Sequence, residues 1–549
     1  MIPEQFTDYV EKSIKKNWNL PALSDYNGES LTYSDTGSYI LKFHLLFDQL
    51  GISKGDKIAL VGKNSARWAC IYLSAVTYGA VIVPILPDFK PDDIQSIINH
   101  SDSILLFSSD VIFQSLDPLK MPALMGTISL NNFGLFHAGS EKLKSVMETL
   151  DADMVKQYPL GLVADKFALP KIGNEELAVI SYTSGTTGFS KGVMLQHNSL
   201  AANVRYAQRN MPLKSGDPIV SFLPLAHSYG CAFEFLFPFS IGCHITILTK
   251  TPSPQIVIQA FQEIKPRLIL SVPLVIEKIY KTRILPAISK VPVSVLLQIP
   301  LINKLIHRKI RRGLMHIFGG NFAEIVIGGA AFNLEAEMFF KKIGLPFAVG
   351  YGMTECGPLI SYASWKVNPV AASGRSVDTL EVKIDSPDPQ KVVGEIILRG
   401  ENAMVGYYKN PEATKEIIDD EGWLHTGDLG LIDANGFVYI KGRCKSLILG
   451  SNGKNIYPEE IEATINNKYC VSESLVVHRD EKLVALIFPD NDTIAANNIS
   501  RDELNTILEQ HRKDVNASIP SYMAITRFEL HPEEFAKTPK RSIKRFLYN

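Results

Sequence analysis

Cysteine is scarce and unpatterned in this sequence. Its six cysteines, Cys70, Cys231, Cys243, Cys356, Cys444 and Cys470, form no CxxC pair and no metal-type spacing. That argues against a disulfide framework or a zinc site and suits reduced thiols in a cytosol. Net charge is also missing: 56 Lys and Arg against 57 Asp and Glu leave a formal −1. Bulk electrostatics therefore cannot drive nucleic-acid binding, and small charged or acyl substrates fit better. No uninterrupted apolar stretch is long enough to span a bilayer, and the opening MIPEQFTDYVEKSIKKNW lacks the apolar core of a secretory signal. A cytoplasmic protein is the expectation. Internal repeats and low-complexity tracts are absent as well.

What is present is length and alternation. A chain of 549 residues exceeds what one hydrophobic core organises, so two or more domains are expected. Residues Asp56 to Pro84 read as strand, loop, helix and second buried strand, and a similar alternation runs through Asn321 to Gly350; both predict an α/β body with mostly parallel strands. After about residue 370 short segments such as Leu380 to Ile384 and Gly394 to Leu398, separated by turn residues, predict a small β-rich subdomain. A helix is expected near Pro458, where Glu459, Glu460 and Glu462 favour its N-terminal end. Residues Leu285 to Phe318 carry three prolines in apolar sequence and a basic cluster at His307, Arg308, Lys309, Arg311 and Arg312. Two readings stay open: a helix packed on the body with a solvated basic face, or a basic amphipathic helix lying on a membrane.

The residues with chemistry begin at Tyr182 to Gly192, YTSGTTGFSKG, directly after the apolar run Leu177 to Ile180. Glycines let backbone N–H groups approach an anion, Ser and Thr hydroxyls add donors, and Lys191 supplies a mobile positive charge. Gly185 and Gly188 are too close for a P-loop, and Lys191 precedes Gly192 instead of Ser or Thr. Any nucleotide here is held by a different architecture. Downstream, FAVGYGMTECGPLI delivers Gly350, Tyr351, Gly352, Met353 and Thr354, then the carboxylate of Glu355; such a loop can stack a base on Tyr351 and present one ligand to Mg²⁺. The strand Ile325 to Ala331, IVIGGAA, runs into Gly328 and Gly329, where missing side chains leave room for a planar or acyl group. A plain strand-end turn explains it equally well. Asp428 lies in WLHTGDLG, where a carboxylate can accept two hydrogen bonds from a ribose diol, and Arg443 follows fifteen residues later. His227 sits in SFLPLAHSYG before an apolar, helix-like run from Cys231 to Ile241; alone it reads as a packed histidine.

Taken in order, YTSGTTGFSKG, LPLAHSYG, YGMTECGP, GEIILRG, WLHTGDLG, GRCKSLI and NGKNIYPEEIE resemble the successive core motifs of the adenylate-forming superfamily, which includes acyl-CoA synthetases, peptide-synthetase adenylation domains and beetle luciferases. The resemblance runs from about Leu31 to Arg545, and VPLVIEKIY at Val272 to Tyr280 is most similar to long-chain fatty acyl-CoA synthetases. It implies a large multi-subdomain α/β N-terminal domain, 1–443, with a small β-rich subdomain, and a small mobile α+β C-terminal domain, 444–549. It also implies an ATP-dependent fatty acid–CoA ligase that forms an acyl-adenylate, releases pyrophosphate, then passes the acyl group to coenzyme A and releases AMP. ATP, Mg²⁺, coenzyme A and a long- or medium-chain fatty acid are the implied ligands. Peripheral contact with the inner membrane surface and a homodimer are compatible with the sequence.

By the same resemblance, Thr183, Ser184, Gly185, Thr186, Thr187, Gly188 and Lys191 would bind the ATP phosphates, with Thr183 sharing Mg²⁺ with Glu355. Tyr351, with Gly350, Gly352, Met353 and Thr354 around it, would flank adenine, Gly328, Gly329 and Ala330 would line the groove toward the acyl carboxylate, and Asp428 and Arg443 would hold ribose. His227 would stand where acyl and thiol channels join, Lys445 at the hinge, and Gly453 in the loop brought to the thiol channel.

Two departures stand out. Ser190 replaces the usual proline before the lysine of the phosphate loop. More gravely, the closing motif KTxxGKxxR appears as KTPKRSIKR at Lys537 to Arg545, with Ser542 where the catalytic lysine belongs. A hydroxyl cannot neutralise developing phosphate charge as an ammonium does. Lys540 or Lys544 would have to substitute; on an extended strand both face the same way as Ser542, and Lys540 is taken as the catalytic residue. Otherwise the chain is a nucleotide- or acyl-binding sensor with impaired adenylation; a further alternative transfers the acyl group to an acyl carrier protein.

Overall fold

The computed structural model describes residues 2–183, 191–250, 253–288, 296, 299–449, 455–479, 482–537 and 543–548. The expected α/β body is present. The segment read as strand, loop, helix, strand forms Lys57–Val61, Ala66–Tyr78 and Val81–Ile85. The helix starts where the Ser65 side chain accepts from the Trp68 N–H and stops at Gly79 (φ 94°), a left-handed cap that costs glycine least.

These strands lie at the centre of an eight-stranded sheet ordered Gly406–Tyr407, Lys191–Gln196, Leu177–Thr183, Val81–Ile85, Lys57–Val61, Ser103–Ser108, Gly126–Ser129 and Leu135–Ala138. Its middle pairs are parallel, and both flanks are antiparallel. A four-stranded sheet joins Pro218–Ser221 and His244–Ile247 to the N-terminal strands, and a parallel three-stranded sheet holds Leu268–Ser271, Glu324–Ile327 and Phe347–Val349. The β-rich region after residue 370 is an antiparallel four-stranded sheet, Leu380–Asp385, Gly394–Gly400, Leu424–Ile432 and Val438–Arg443.

Burial divides the chain. One continuous core runs from Ile2 to Val438, and a separate one runs from Ile456 to Ile525. The second core lies under a mixed sheet of Val471–Arg479, Lys482–Pro489 and Ile525–Leu530, covered by the helices Pro458–Ile465 and Arg501–Ser518.

Two expectations need correction. The run Cys231 to Ile241 is not one α-helix: Cys231–Leu236 is a π-turn continued by the α-turn Phe237–Ile241. Lys537 and Ile543 are antiparallel bridge partners, a pairing that a single extended strand through both cannot make. The basic insertion forms a helix, Pro300–Ile317. Among the described residues no helix is long and apolar enough to cross a membrane.

Candidate active site

Residues carried by three sheets meet here. Thr183 ends a strand of the large sheet and Lys191 opens the next; the two residues are paired, and the Thr183 hydroxyl donates to the Lys191 carbonyl at 3.4 Å. The connecting residues Ser184, Gly185, Thr186, Thr187 and Gly188, and likewise Gly453, Lys540 and Ser542, lie outside the described residues.

Across from Lys191 stands Tyr407, a residue that sequence reasoning missed. Its strand adds to the edge of the large sheet, with Tyr407 opposite Val193, which places Lys191 Nζ 4.8 Å from the ring centroid. The Tyr407 hydroxyl donates to Glu355 Oε1 at 3.0 Å. Burial, reinforced by the Glu355 charge, pushes the Tyr407 phenol well above its ordinary range and keeps it a donor. Cation, ring and carboxylate are thus joined in one row.

Glu355 owes its position to a tight loop. Tyr351–Gly352 pairs with Leu359–Tyr362, so a Cβ on Gly352 would lie 2.2 Å from the Pro358 carbonyl oxygen, and one on Gly357 (φ +59°) 2.1 Å from Ser199 Oγ. Only glycine fits either place. Between them the 3₁₀ turn Thr354–Cys356 carries Glu355 outward and buries Thr354. Among the described residues Tyr407 alone bonds the Glu355 side chain. A carboxylate so placed keeps lone pairs for a cation. No cluster of three or more His, Cys, Asp or Glu that could hold a metal ion occurs among the described residues.

The third wall is the β-rich sheet. Asp428 and Arg443 are cross-strand partners; Arg443 Nε forms an ion pair with Asp428 Oδ1 at 3.0 Å, while the buried Tyr351 hydroxyl donates to Oδ2 at 2.7 Å. Asp428 is only 5% exposed. Desolvation raises its carboxyl, the Arg443 guanidinium opposes that, and the Glu355 charge adds to the rise, so the two carboxylates sense one another. Each Asp428 oxygen keeps a lone pair beyond these bonds. Tyr351, expected to flank a base, also orients Asp428.

The groove residues divide. A Cβ on Gly328 would come within 3.2 Å of the Tyr229 ring, whose hydroxyl donates to the Val326 carbonyl at 3.0 Å. The space expected at Gly328 is therefore filled by Tyr229. At Gly329 the nearest atom would be Val272 Cγ1 at 3.9 Å, and Gly329 and Ala330 are exposed.

His227 follows the strand Pro218–Ser221, and its Nδ1 accepts from the Tyr229 N–H at 3.3 Å. As an acceptor that nitrogen is unprotonated, so a neutral ring carries its proton on Nε2. What holds this loop is Glu234, on the π-turn and fully buried. Its Oε2 accepts from Ser221 Oγ at 3.1 Å and from the Phe222 and Leu223 N–H groups at 2.9 Å each. Burial drives its carboxyl well above the ordinary range. Glu234→Leu is expected to leave three donors without an acceptor and to destabilise the fold by about 3 kcal/mol or more, whereas Glu234→Gln keeps an acceptor oxygen. The sign of the pH effect follows from the raised folded pKa: the native state binds the proton more tightly, so stability is greatest at low pH and falls as pH rises above the ordinary carboxylate range. Urea midpoints of wild type should fall from about pH 5 to about pH 8 more steeply than those of Glu234→Gln. Parallel slopes would show that this proton is not taken up on folding.

Lys445 is exposed in the 3₁₀ turn Cys444–Ser446 that follows Arg443.

Residues 10–408 match the AMP-binding enzyme family, and residues 445–548 match its C-terminal domain. A long-chain-fatty-acid–[acyl-carrier-protein] ligase of Arabidopsis thaliana is 26% identical over 84% of this chain and 72% of its own length. A long-chain-fatty-acid–CoA ligase of Mycobacterium tuberculosis is 25% identical over 94% of this chain and 90% of its own. The crystal structure of an anthranilate CoA ligase in complex with anthranoyl-AMP shares the fold, with TM-score 0.78 and 19% identity over 99% of this chain and 96% of that one. On these matches the chain belongs to the AMP-binding enzyme family: it is an adenylate-forming ligase, similar to the long-chain acyl-CoA synthetases.

Proposed function

We propose that this ligase joins long- or medium-chain fatty acids to coenzyme A. The fatty acid carboxylate attacks the α-phosphorus of ATP, the bond to the bridging oxygen breaks, and pyrophosphate leaves. The coenzyme A thiol then attacks the acyl carbon of the mixed anhydride and AMP leaves. An unactivated carboxylate has a poor leaving group and an acyl-adenylate a good one, so two easier steps replace one hard step.

The observation that carries this reading is the chain of contacts that joins Lys191, Tyr407 and Glu355 and, from the same loop as Glu355, Tyr351 with Asp428 and Arg443. Lys191 and the loop after Thr183 hold the phosphates, Asp428 and Arg443 the ribose, and Gly329 and Ala330 the groove toward the acyl carboxylate. Glu355 with Thr183 would hold Mg²⁺, which supplies charge neutralisation on the phosphates. The test is fatty-acid-dependent exchange of labelled pyrophosphate into ATP, run with a hydroxamate-trapping screen from acetate to oleate and benzoate. Exchange with the longer unbranched acids, and thioester only when coenzyme A is added, is expected; exchange with none of the acids would overturn the reading. Transfer to a carrier-protein phosphopantetheine is the second reading, favoured by the Arabidopsis relative, and thioester formation with carrier protein but not with free coenzyme A would establish it. Ser542 in place of the closing lysine favours a third, a sensor that binds nucleotide without exchange.

The proposed domains are 1–443 and 444–549, turning about Lys445. Among the described residues, polar contacts join them. Lys281 Nζ donates to the Asn466 carbonyl, Asn333 Nδ2 to Asn467 Oδ1, and Lys441 pairs with Glu460 at 3.5 Å. Asn466 caps the C-terminal end of Pro458–Ile465, where a cation is favoured. The double variant Lys281→Ala, Asn333→Ala is expected to shift the ratio of adenylation to thioester formation by about 5- to 10-fold, since removing contacts made in one orientation shifts a two-state equilibrium by what those contacts contribute. Single-turnover rates of each half-reaction measure it; an unchanged ratio would mean these contacts bias neither state.

A further inference from the structure

The helix Pro300–Ile317 is basic without compensation: its sequence PLINKLIHRKIRRGLMHI contains no acid in a chain whose net charge is −1. It is anchored by its inner side. Leu314 is buried, the His307 ring meets Phe339 at 6.2 Å, and Phe318, just past the end, meets Phe261 at 6.1 Å. The outer side is open. Leu301, Leu305, Arg308 and Arg312 recur at the spacing of one helical stripe, flanked by Lys304, Lys309 and Arg311, and all seven are exposed. Leu301 is 77% and Leu305 64% exposed, high values for leucines one turn apart. Among the described residues none of the five cations pairs with a carboxylate. Neighbouring positive charge enlarges the patch. Arg311 reaches to 3.4 Å from a Cβ placed on Gly344, at the end of Leu334–Ile343, and Lys342 from the last turn of that helix, after burial, helps hold the His307 imidazole below its ordinary range.

We propose that this face docks the enzyme on an anionic phospholipid bilayer, with Leu301 and Leu305 entering the headgroup–acyl boundary and the five cations lying among the headgroups. Charge complementarity selects a negative partner, and the paired exposed leucines select one with an accessible apolar layer beneath its charge. An acidic protein would satisfy the cations alone. The energetics suit reversible docking: each Lys or Arg near such a surface strengthens binding about 5-fold.

The test is co-sedimentation of the full chain with vesicles of phosphatidylcholine alone and of phosphatidylcholine with about a third phosphatidylglycerol. Binding to the anionic vesicles only, weakened by salt, is expected. Arg308→Ala with Arg312→Ala should weaken it roughly 30-fold, and Leu301→Ser with Leu305→Ser by about 10-fold or more even at low salt. All four positions are exposed, so melting midpoints and vesicle-free pyrophosphate exchange should match wild type. Equal binding to neutral vesicles, or anionic binding unchanged in both variants, would overturn the proposal. So would capture of an acidic carrier protein that is weakened by the arginine variant, indifferent to the leucine variant, and unaccompanied by vesicle binding.

Discussion

Glu355→Gln is expected to lower fatty-acid-dependent pyrophosphate exchange by roughly 10²- to 10³-fold, the scale on which one well-placed electrostatic group contributes to a transition state. The substitution is nearly isosteric, and its amide oxygen still accepts from the Tyr407 hydroxyl, 3.0 Å from Glu355 Oε1 in the wild type. Only the charge is removed. Met404 donates its N–H to the Glu355 backbone carbonyl, a bond the variant keeps, so the loop and the melting midpoint should be unaffected. A second readout separates metal binding from general damage: calorimetry of ATP with and without Mg²⁺ should give a smaller Mg²⁺-dependent gain in affinity for the variant than for wild type. Exchange within about threefold of wild type, or an equal Mg²⁺ gain, would remove Glu355 from the proposed phosphate-neutralising role.

The second large effect is expected at Lys540. Its motif puts Ser542 where the family carries a lysine, so one of the nearby lysines must neutralise charge on the α-phosphate if adenylation runs at all. Lys544 is held at its backbone: its main-chain N–H donates to the Ala536 carbonyl, and it follows Ile543, which bridges Lys537. Lys540 lies midway in sequence between those bridge partners. Lys540→Ala is therefore expected to lower adenylation on the order of 10²-fold and to leave thioester formation from preformed acyl-adenylate within about twofold, because the lysine serves only the first half-reaction. Lys544→Ala should cost far less. Normal exchange in both variants would mean that neither lysine substitutes at Ser542.

Much of this site could be read from sequence because its residues sit in short, glycine-punctuated motifs. Thr183 and Lys191 bracket one such motif, Glu355 closes another, and the cross-strand pairing of Asp428 with Arg443 brings together residues already named from two more. The fold class was legible for a related reason: alternating buried strands and capped helices, as at Lys57–Val61 and Ala66–Tyr78, leave a local periodic signal. What escaped was long-range. Tyr407 bonds a residue 52 positions away, and nothing in its neighbourhood, GYYKN, marks one tyrosine over the other. Glu234 lies in an apolar run whose period suggests an ordinary helix, yet the π-turn points its carboxylate back at Ser221, Phe222 and Leu223. Gly328 misled for the opposite reason. An absent side chain was read as room for a ligand, whereas Tyr229 fills it from another element.

The same geometry holds the charged side chains of the site in place. Tyr351 and Arg443 hold Asp428 from two directions, and Tyr407 ties Glu355 to the strand that Lys191 opens. Groups fixed in this way need little reorganisation when charge develops on the phosphates, which is where electrostatic catalysis gains most. Much of the Arg443 side chain, 67% exposed against 7% for the Asp428 side chain, remains available to a nucleotide.

The most direct test is a crystal structure of the chain with a non-hydrolysable acyl-adenylate analogue. The expected result places the ribose hydroxyls on Asp428, the adenine beside Tyr351, the phosphate mimic facing Lys191 and Glu355, and the acyl chain leaving past Gly329. A nucleotide bound anywhere outside the cleft bounded by Thr183, Glu355 and Asp428 would contradict the assignment of this cleft as the adenylating site.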